Sequence, residues 1–275
     1  MRPVRDRARS LVFFVAVLVP VFLSPVRTQI STETVFPGQT WESVARENLE
    51  SYGWSPEALR QATLFIRDHS NTTGLVVVDR GRVVFRYGDI EELSYVASVR
   101  KSILSMLYGY WVENGTIKLN TTLEALNFDD IGGLLPIEKQ ATILNLITAR
   151  SGVYHPASYS GDDLAKAPPR GSQKPGTYML YSNWDFNAAG AVFEQLTGRN
   201  IYDELQAQLA IPIQFEDWNR SAQHKEGDLT VSKYPAYPIW ISTRDMARIG
   251  YLMLHEGNWN GKQVISRDWA RRIVS

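Results

Sequence analysis

Residues 95–102 read Tyr95-Val96-Ala97-Ser98-Val99-Arg100-Lys101-Ser102, and Ile103, Leu104, Leu107, Tyr110 and Trp111 follow at i, i+1, i+4, i+7 and i+8. That spacing lays one apolar stripe along a helix, so a buried helix is predicted over residues 95–111, closed by Asn114-Gly115. Ser98 and Lys101, three apart near its start, share a face, which lets the amine lie near the hydroxyl. A serine at a helix start also sits in a positive local field that favours an alkoxide and a developing oxyanion. The lysine acts as a base only where burial or a neighbouring charge lowers its pKa, and an apolar helix supplies burial. Standing alone, a Ser-x-x-Lys match is more often a capping or surface serine than a nucleophile.

A second segment, Lys174-Pro175-Gly176-Thr177 through Tyr181-Ser182-Asn183, reads as a turn leading into a helix over residues 184–197 that ends at Gly198. Tyr181 therefore lies on a loop at a helix N-terminus, where a phenolate is favoured. Asn183 offers an amide donor and an acceptor, suited to holding Lys101 and a substrate carbonyl. The plainer alternative is a packed aromatic and a helix cap.

Working outward, Ser55-Pro56-Glu57 starts a helix with a capping serine, a first-turn proline and an acid at the positive end of the dipole. The β-branched runs 75–78 and 82–85 around Asp79-Arg80-Gly81 signal a hairpin. Thr142 caps a helix that stops near Ser151-Gly152, and a Gly-, Pro-, Ser- and Asp-rich loop runs over 154–177. Short and longer helices are predicted over 201–209 and 243–255, with a turn over 258–262. A hairpin followed by a mostly helical stretch argues for an α+β chain. Tyr154, His155 and Trp184 flank the two motifs, with core packing their default reading, and Asp162-Asp163 reads as a solvated loop.

The 275 residues are 44% hydrophobic and 21% charged, enough for one large domain or two lobes sharing a core. The 29 basic and 29 acidic residues cancel without a basic face, so no nucleic-acid partner is expected. The absence of cysteine excludes disulfides, thiolate metal sites and a cysteine nucleophile. The 4 histidines show no metal-binding spacing, and no G-x-S-x-G elbow occurs. Asn71, Asn114, Asn120 and Asn219 begin N-x-[ST] sequons of the kind that arise by chance. Arg2, Arg5, Arg7 and Arg9 precede an apolar run over 11–23 interrupted by Pro20. A basic start and an apolar run shorter than the roughly 20 residues of a spanning helix predict a signal peptide or retained anchor over residues 1–28. A buried core helix is the alternative. Residues 29–275 are then the domain of an exported protein: periplasmic, secreted or membrane-anchored, touching a membrane only through an uncleaved leader.

Taken in order, these segments resemble the serine β-lactamase-related family, which includes class C β-lactamases, D-alanyl-D-alanine carboxypeptidases, esterases and 6-aminohexanoate-dimer hydrolases. The segments that carry the likeness are residues 95–102, Asn114–Asn120, "ILNLITARSGV" (143–153), "KPGTYMLYSN" (174–183) and "ISTRDMARIGYLMLHEGNWNGK" (241–262). Together they span roughly residues 70–275 and look nearest the esterase and 6-aminohexanoate-dimer hydrolase branch. The resemblance implies a β-lactamase/transpeptidase-like fold, an antiparallel sheet with a helical lobe. It implies that Ser98 is the acylated nucleophile, that Lys101 accepts its proton, that Tyr181 relays a proton to the leaving group, and that Asn183 positions lysine and substrate. The substrate would be a small or peptide-like amide or ester, turned over with no metal and no cofactor. The family's third motif, Lys-Thr-Gly or His-x-Gly on a strand, has no counterpart. His255-Glu256-Gly257 matches in letters but falls at the end of a predicted helix. The family's closing strands would come after Ser275, so the sheet is expected to be incomplete and the chain to be C-terminally truncated. A non-catalytic ligand- or cell-wall-binding relative is the alternative function.

Overall fold

The computed structural model describes residues 33–159 and 163–275. The leader expected over 1–28, and Asp162, lie outside the described residues. Ser55 caps helix α1 (Pro56–His69), its side chain accepting from Ala58 N, with proline in the first turn. Strands β1 (Gly74–Asp79) and β2 (Arg82–Gly88) form the antiparallel hairpin, in register from Gly74↔Gly88 to Asp79↔Arg82 with a bulge at Val77/Val78. Its tight turn has Arg80 and Gly81 at positive φ.

Strand β3 (Ser94–Tyr95) leads into helix α2 (Val99–Glu113) and pairs antiparallel with β4 (Trp240–Ile241), Tyr95 opposite Trp240. The short helix α3 is Ile143–Ile147, with a reciprocal Thr142–Asn145 capping box. Helix α4 (Asn183–Thr197) ends on Gly198 at φ 65°, and α5 (Ile201–Leu205) follows at once. Helix α6 (Thr243–Leu254) packs on the hairpin. A two-residue hairpin of β5 (Asn258–Trp259) and β6 (Lys262–Gln263) then leads to α7 (Arg267–Ile273). The architecture is the expected α+β one, with three small two-stranded antiparallel sheets among the described residues.

Three elements differ from the sequence reading, one being the helix capped by Thr142, which ends at Ile147 rather than near Ser151-Gly152, with Ala149 turned to φ 54°. The helix expected from residue 95 starts only at Val99, because Tyr95 is in β3 and Val96 N donates to Ile239 O at 3.0 Å. Ala97, at φ 45°, breaks the run between strand and helix. The helix expected over 201–209 is a five-residue α-helix followed by a π turn over Gln206–Ala210.

The core lies between α2 and α4. Ile103, Leu104, Leu107 and Tyr108 face Trp184, Ala188, Ala189, Val192 and Phe193, all buried. Each fully buried large apolar side chain contributes about 1.5–3 kcal/mol, and Tyr108 OH also donates to Ala189 O at 2.7 Å. The start of α4 is pinned from below by buried Asp130. Its carboxylate accepts from Trp184 Nε1 (2.7 Å), Ser232 Oγ (2.5 Å), Lys233 N (2.8 Å) and Ile131 N (2.7 Å). Tyr154, His155 and Trp184 are buried here as packing residues.

On its other side α2 is gripped by α7. Trp269 Nε1 donates to Ser105 O at 2.8 Å, and the indole lies where a Cβ on Gly109 would meet it at 2.5 Å. Gly109→Ala should therefore destabilise the fold by about 1–3 kcal/mol through overpacking, despite alanine's better helix propensity. Urea denaturation of the two proteins measures this.

Candidate active site

The strand-to-helix junction at Ala97 decides where Ser98 points. A non-glycine residue at positive φ is strained, and it lets the chain leave β3 and enter α2 within one tight turn. Val99 N donates to Val96 O and Lys101 N to Ser98 O, both at 3.0 Å. Ser98 thus occupies the N-cap position of α2, exposed, with its hydroxyl free of capping duty.

Three residues on, Lys101 is only 6% exposed. Its Nζ donates to Ser98 Oγ at 3.1 Å, to Asn183 Oδ1 at 2.8 Å, and to Tyr181 OH. Tyr181 OH in turn donates to Ser98 Oγ at 2.5 Å. All four residues singled out in the sequence, Ser98, Lys101, Tyr181 and Asn183, are therefore brought together across 80 or more residues of chain.

The helix cap, for which Asn183 was the plainer alternative, is provided by Ser182, whose Oγ accepts from Trp184 N at 3.1 Å. This releases the Asn183 amide to face Lys101, with Nδ2 toward Tyr159 O at 3.4 Å. Tyr181 itself is held by the segment after α3: Leu180 N donates to Ala149 O (3.0 Å) and Gly176 N to Arg150 O (2.7 Å). Gly152, at φ 72°, passes so close to Gln173 O that a Cβ would sit 2.9 Å from it.

Burial pushes the Tyr181 hydroxyl up. Hydrogen bonds with Lys101 and Ser98, and the charges of Lys101 and Arg100, together outweigh it, so the phenol ionises below its ordinary value. A phenol eased toward ionisation beside a serine hydroxyl can exchange a proton with it, and the lysine charge stabilises the anion left behind. His255-Glu256-Gly257 forms the end of α6, with Glu256 and Gly257 at positive φ, as read from the sequence. Among the described residues no group of three or more His, Asp or Glu is placed to hold a metal ion.

The sequence reading missed three contributors. Phe186, one turn after Asn183, has its ring 5.0 Å from Lys101 Nζ and 6.0 Å from the Tyr181 ring. Arg100 is buried behind the site, and its place at i with Ile103, Leu104 and Leu107 at i+3, i+4 and i+7 was a signal that it falls on the buried stripe. Asp185 is buried beneath Asn183 and accepts from Ser151 Oγ at 2.6 Å and Ser151 N at 3.4 Å.

A family model described as Beta-lactamase matches residues 63–273. The chain belongs to the Beta-lactamase family.

The architecture of this β-lactamase-family chain is similar to that of a provisional 6-aminohexanoate-dimer hydrolase of Bacillus anthracis. The TM-score is 0.59 at 20% identity, covering 76% of this chain and 60% of that one. The octameric penicillin-binding protein homologue of Pyrococcus abyssi gives 0.57 at 14% identity, over 78% and 59%. An uncharacterised Alkalihalophilus pseudofirmus protein is 24% identical over 196 residues, 66% of this chain and 54% of its own length. The chain thus spans little more than half the length of that relative.

Asp185 generates a pH prediction for this family member. Burial drives its pKa up to about 8, against the lowering by its Ser151 hydrogen bonds. The native state holds the proton where the unfolded chain, ionising near 3.8, releases it. Stability from this group is fully present below about pH 4, falls as pH rises, and is gone above about pH 8. Asp185→Asn removes that slope. Its melting temperature relative to the native chain should rise between pH 5 and pH 8, read by thermal melts across that range.

Proposed function

We propose that this chain is an exported serine hydrolase that cleaves an amide or ester bond through an acyl-enzyme on Ser98. The observation that carries the reading is the closed contact among Ser98 Oγ, Lys101 Nζ and Tyr181 OH, with Asn183 completing the lysine's shell. Ser98 Oγ, giving its proton to the Lys101–Tyr181 pair, attacks the substrate carbonyl carbon. The tetrahedral oxyanion is stabilised at the start of α2, where Ser98 N–H makes no hydrogen bond among the described residues. As the carbonyl reforms, the bond to the leaving amine or alcohol breaks and Tyr181 delivers the proton to it. Water then attacks the serine ester, loses its proton to the same pair, and releases the acid and the free hydroxyl. Every proton in this cycle is carried by groups already in contact.

The substrate class favoured is a small ester or linear amide. Its support is the likeness of residues 98–102 and 174–183 to the esterase and 6-aminohexanoate-dimer hydrolase branch.

A fluorophosphonate probe should label Ser98, located by mass spectrometry. Ser98→Ala should abolish labelling and Lys101→Ala should weaken it. Tyr181→Phe should lower turnover of a small ester by about 100- to 10,000-fold, the usual contribution of a general acid–base group. A folded chain that takes no label from either the fluorophosphonate or a fluorescent penicillin would instead be a non-catalytic binding relative.

A further inference from the structure

Arg100, the third residue of Ser-x-x-Lys, is only 3% exposed. Its Nη2 donates to Asn187 Oδ1 at 2.9 Å, and its guanidinium lies over the Tyr237 ring, 4.3 Å from the centroid. Among the described residues it has no carboxylate within ion-pair distance. Arg100 Nη1, Asn187 Nδ2 and Tyr237 OH are all buried outside hydrogen-bond geometry, and the guanidinium pulls the Tyr237 phenol down against burial without finding a counter-charge there. This is an unusual arrangement, because desolvating a cation is costly and a buried guanidinium is normally paired with an acid.

The acids nearby are engaged elsewhere or uncharged. Glu194 on α4 pairs with Lys225 and accepts from Ile201 N, and Glu226 lies 2.9 Å from His224 Nε2. Asp185 on α4 ionises only near pH 8. The other titratable groups that feel the Arg100 charge are four phenols: Tyr95 on β3, Tyr181 before α4, Tyr202 on α5, and Tyr237 before β4, while Lys101, next to it on α2, turns to a different side of the helix.

We infer that Arg100 is a positioning residue that keeps an unneutralised positive charge behind Ser98 and Tyr181, so that the anion formed there during acyl transfer becomes its missing partner. The inference rests on the acyl-enzyme reading and deepens it by naming a residue outside the contacting set. Its selectivity agrees with the tyrosines. Burial holds Tyr95, Tyr202 and Tyr237 above the ordinary phenol value despite Arg100, whereas Tyr181, which Lys101 also touches, falls below it. Asn187 has the matching part: a neutral amide holds the guanidinium in place without cancelling its charge, as a carboxylate would.

The test exploits that last point. Asn187→Asp leaves Arg100 and its contacts in place but supplies a counter-charge, and Arg100→Gln removes the charge outright. The full chain is labelled with tyrosine carrying 13C at Cζ, and the Tyr181 resonance is assigned by its loss in Tyr181→Phe. In both variants the Tyr181 titration midpoint should move up by roughly one pH unit, a tenfold loss of phenolate at any pH well below it. Arg100→Lys should titrate closer to native. Fluorophosphonate labelling should slow about tenfold below the midpoint and recover above it. Asn187→Asp should also raise the melting temperature by satisfying the buried guanidinium.

If Arg100 is only a clamp between helices, Asn187→Asp gains stability with the Tyr181 midpoint unmoved, and the inference is overturned. A midpoint that moves in a native chain that never labels at Ser98 sinks the acyl-enzyme reading while leaving the charge coupling in place. A native chain that labels, with no movement in either variant, does the reverse.

Discussion

The Lys101 ammonium is the junction on which the rest of the site depends. One nitrogen bonds the serine one helical turn before it, a phenol from a distant loop and an amide on the first turn of a second helix. A cation buried to this degree is tolerable only with several partners. The need to satisfy it therefore brings α2, the approach to α4 and α4 itself into one geometry. Everything that stiffens those elements, the capping serine at 182, the left-handed Ala97 and the Ser151–Asp185 contact, acts by narrowing where these three partners can lie.

Two buried acids near the start of α4 illustrate how hydrogen-bond supply decides ionisation. Asp130 and Asp185 are both buried, and burial pushes both pKa values up. Around Asp130, donors from Ser232, Lys233, Trp184 and Ile131 more than offset that push and hold it below the ordinary carboxylate value. Asp185 receives bonds only from Ser151, and burial prevails. The first is a structural anion under Trp184. The second is a nearly neutral acid under Asn183, so the helix that presents the amide to Lys101 rests on one charged and one uncharged support.

Much of this was legible in the sequence because its signals are local. Ser98 and Lys101 lie one helical turn apart, the Ser55 and Thr142 caps fall one residue before their helices, and Gly198 ends α4 as expected. The family's motif order then linked Tyr181 and Asn183 to that turn. What local pattern could not reveal was set by contacts across the fold. The start of α2 slipped from 95 to 99 because Val96 bonds Ile239, more than a hundred residues away. Whether Asn183 caps α4 or holds Lys101 was open in the sequence, and the fold gives the cap to Ser182 and the amide to Lys101. Arg100 falls on the buried stripe of α2 by its spacing, but which groups enclose it, Tyr237 and Asn187, is set by packing across the fold.

The Trp269–Gly109 contact has a mechanical consequence for the site at the opposite end of α2. A helix anchored at one end transmits tilt to the other, and Ser98 sits about ten residues, or some 15 Å of rise, from that anchor. The indole of α7 serves as a splint on the rod that begins at Ser98. Slow amide exchange along α2 should then depend on whether α7 stays docked, and the aim of the serine hydroxyl would wander whenever that docking loosens.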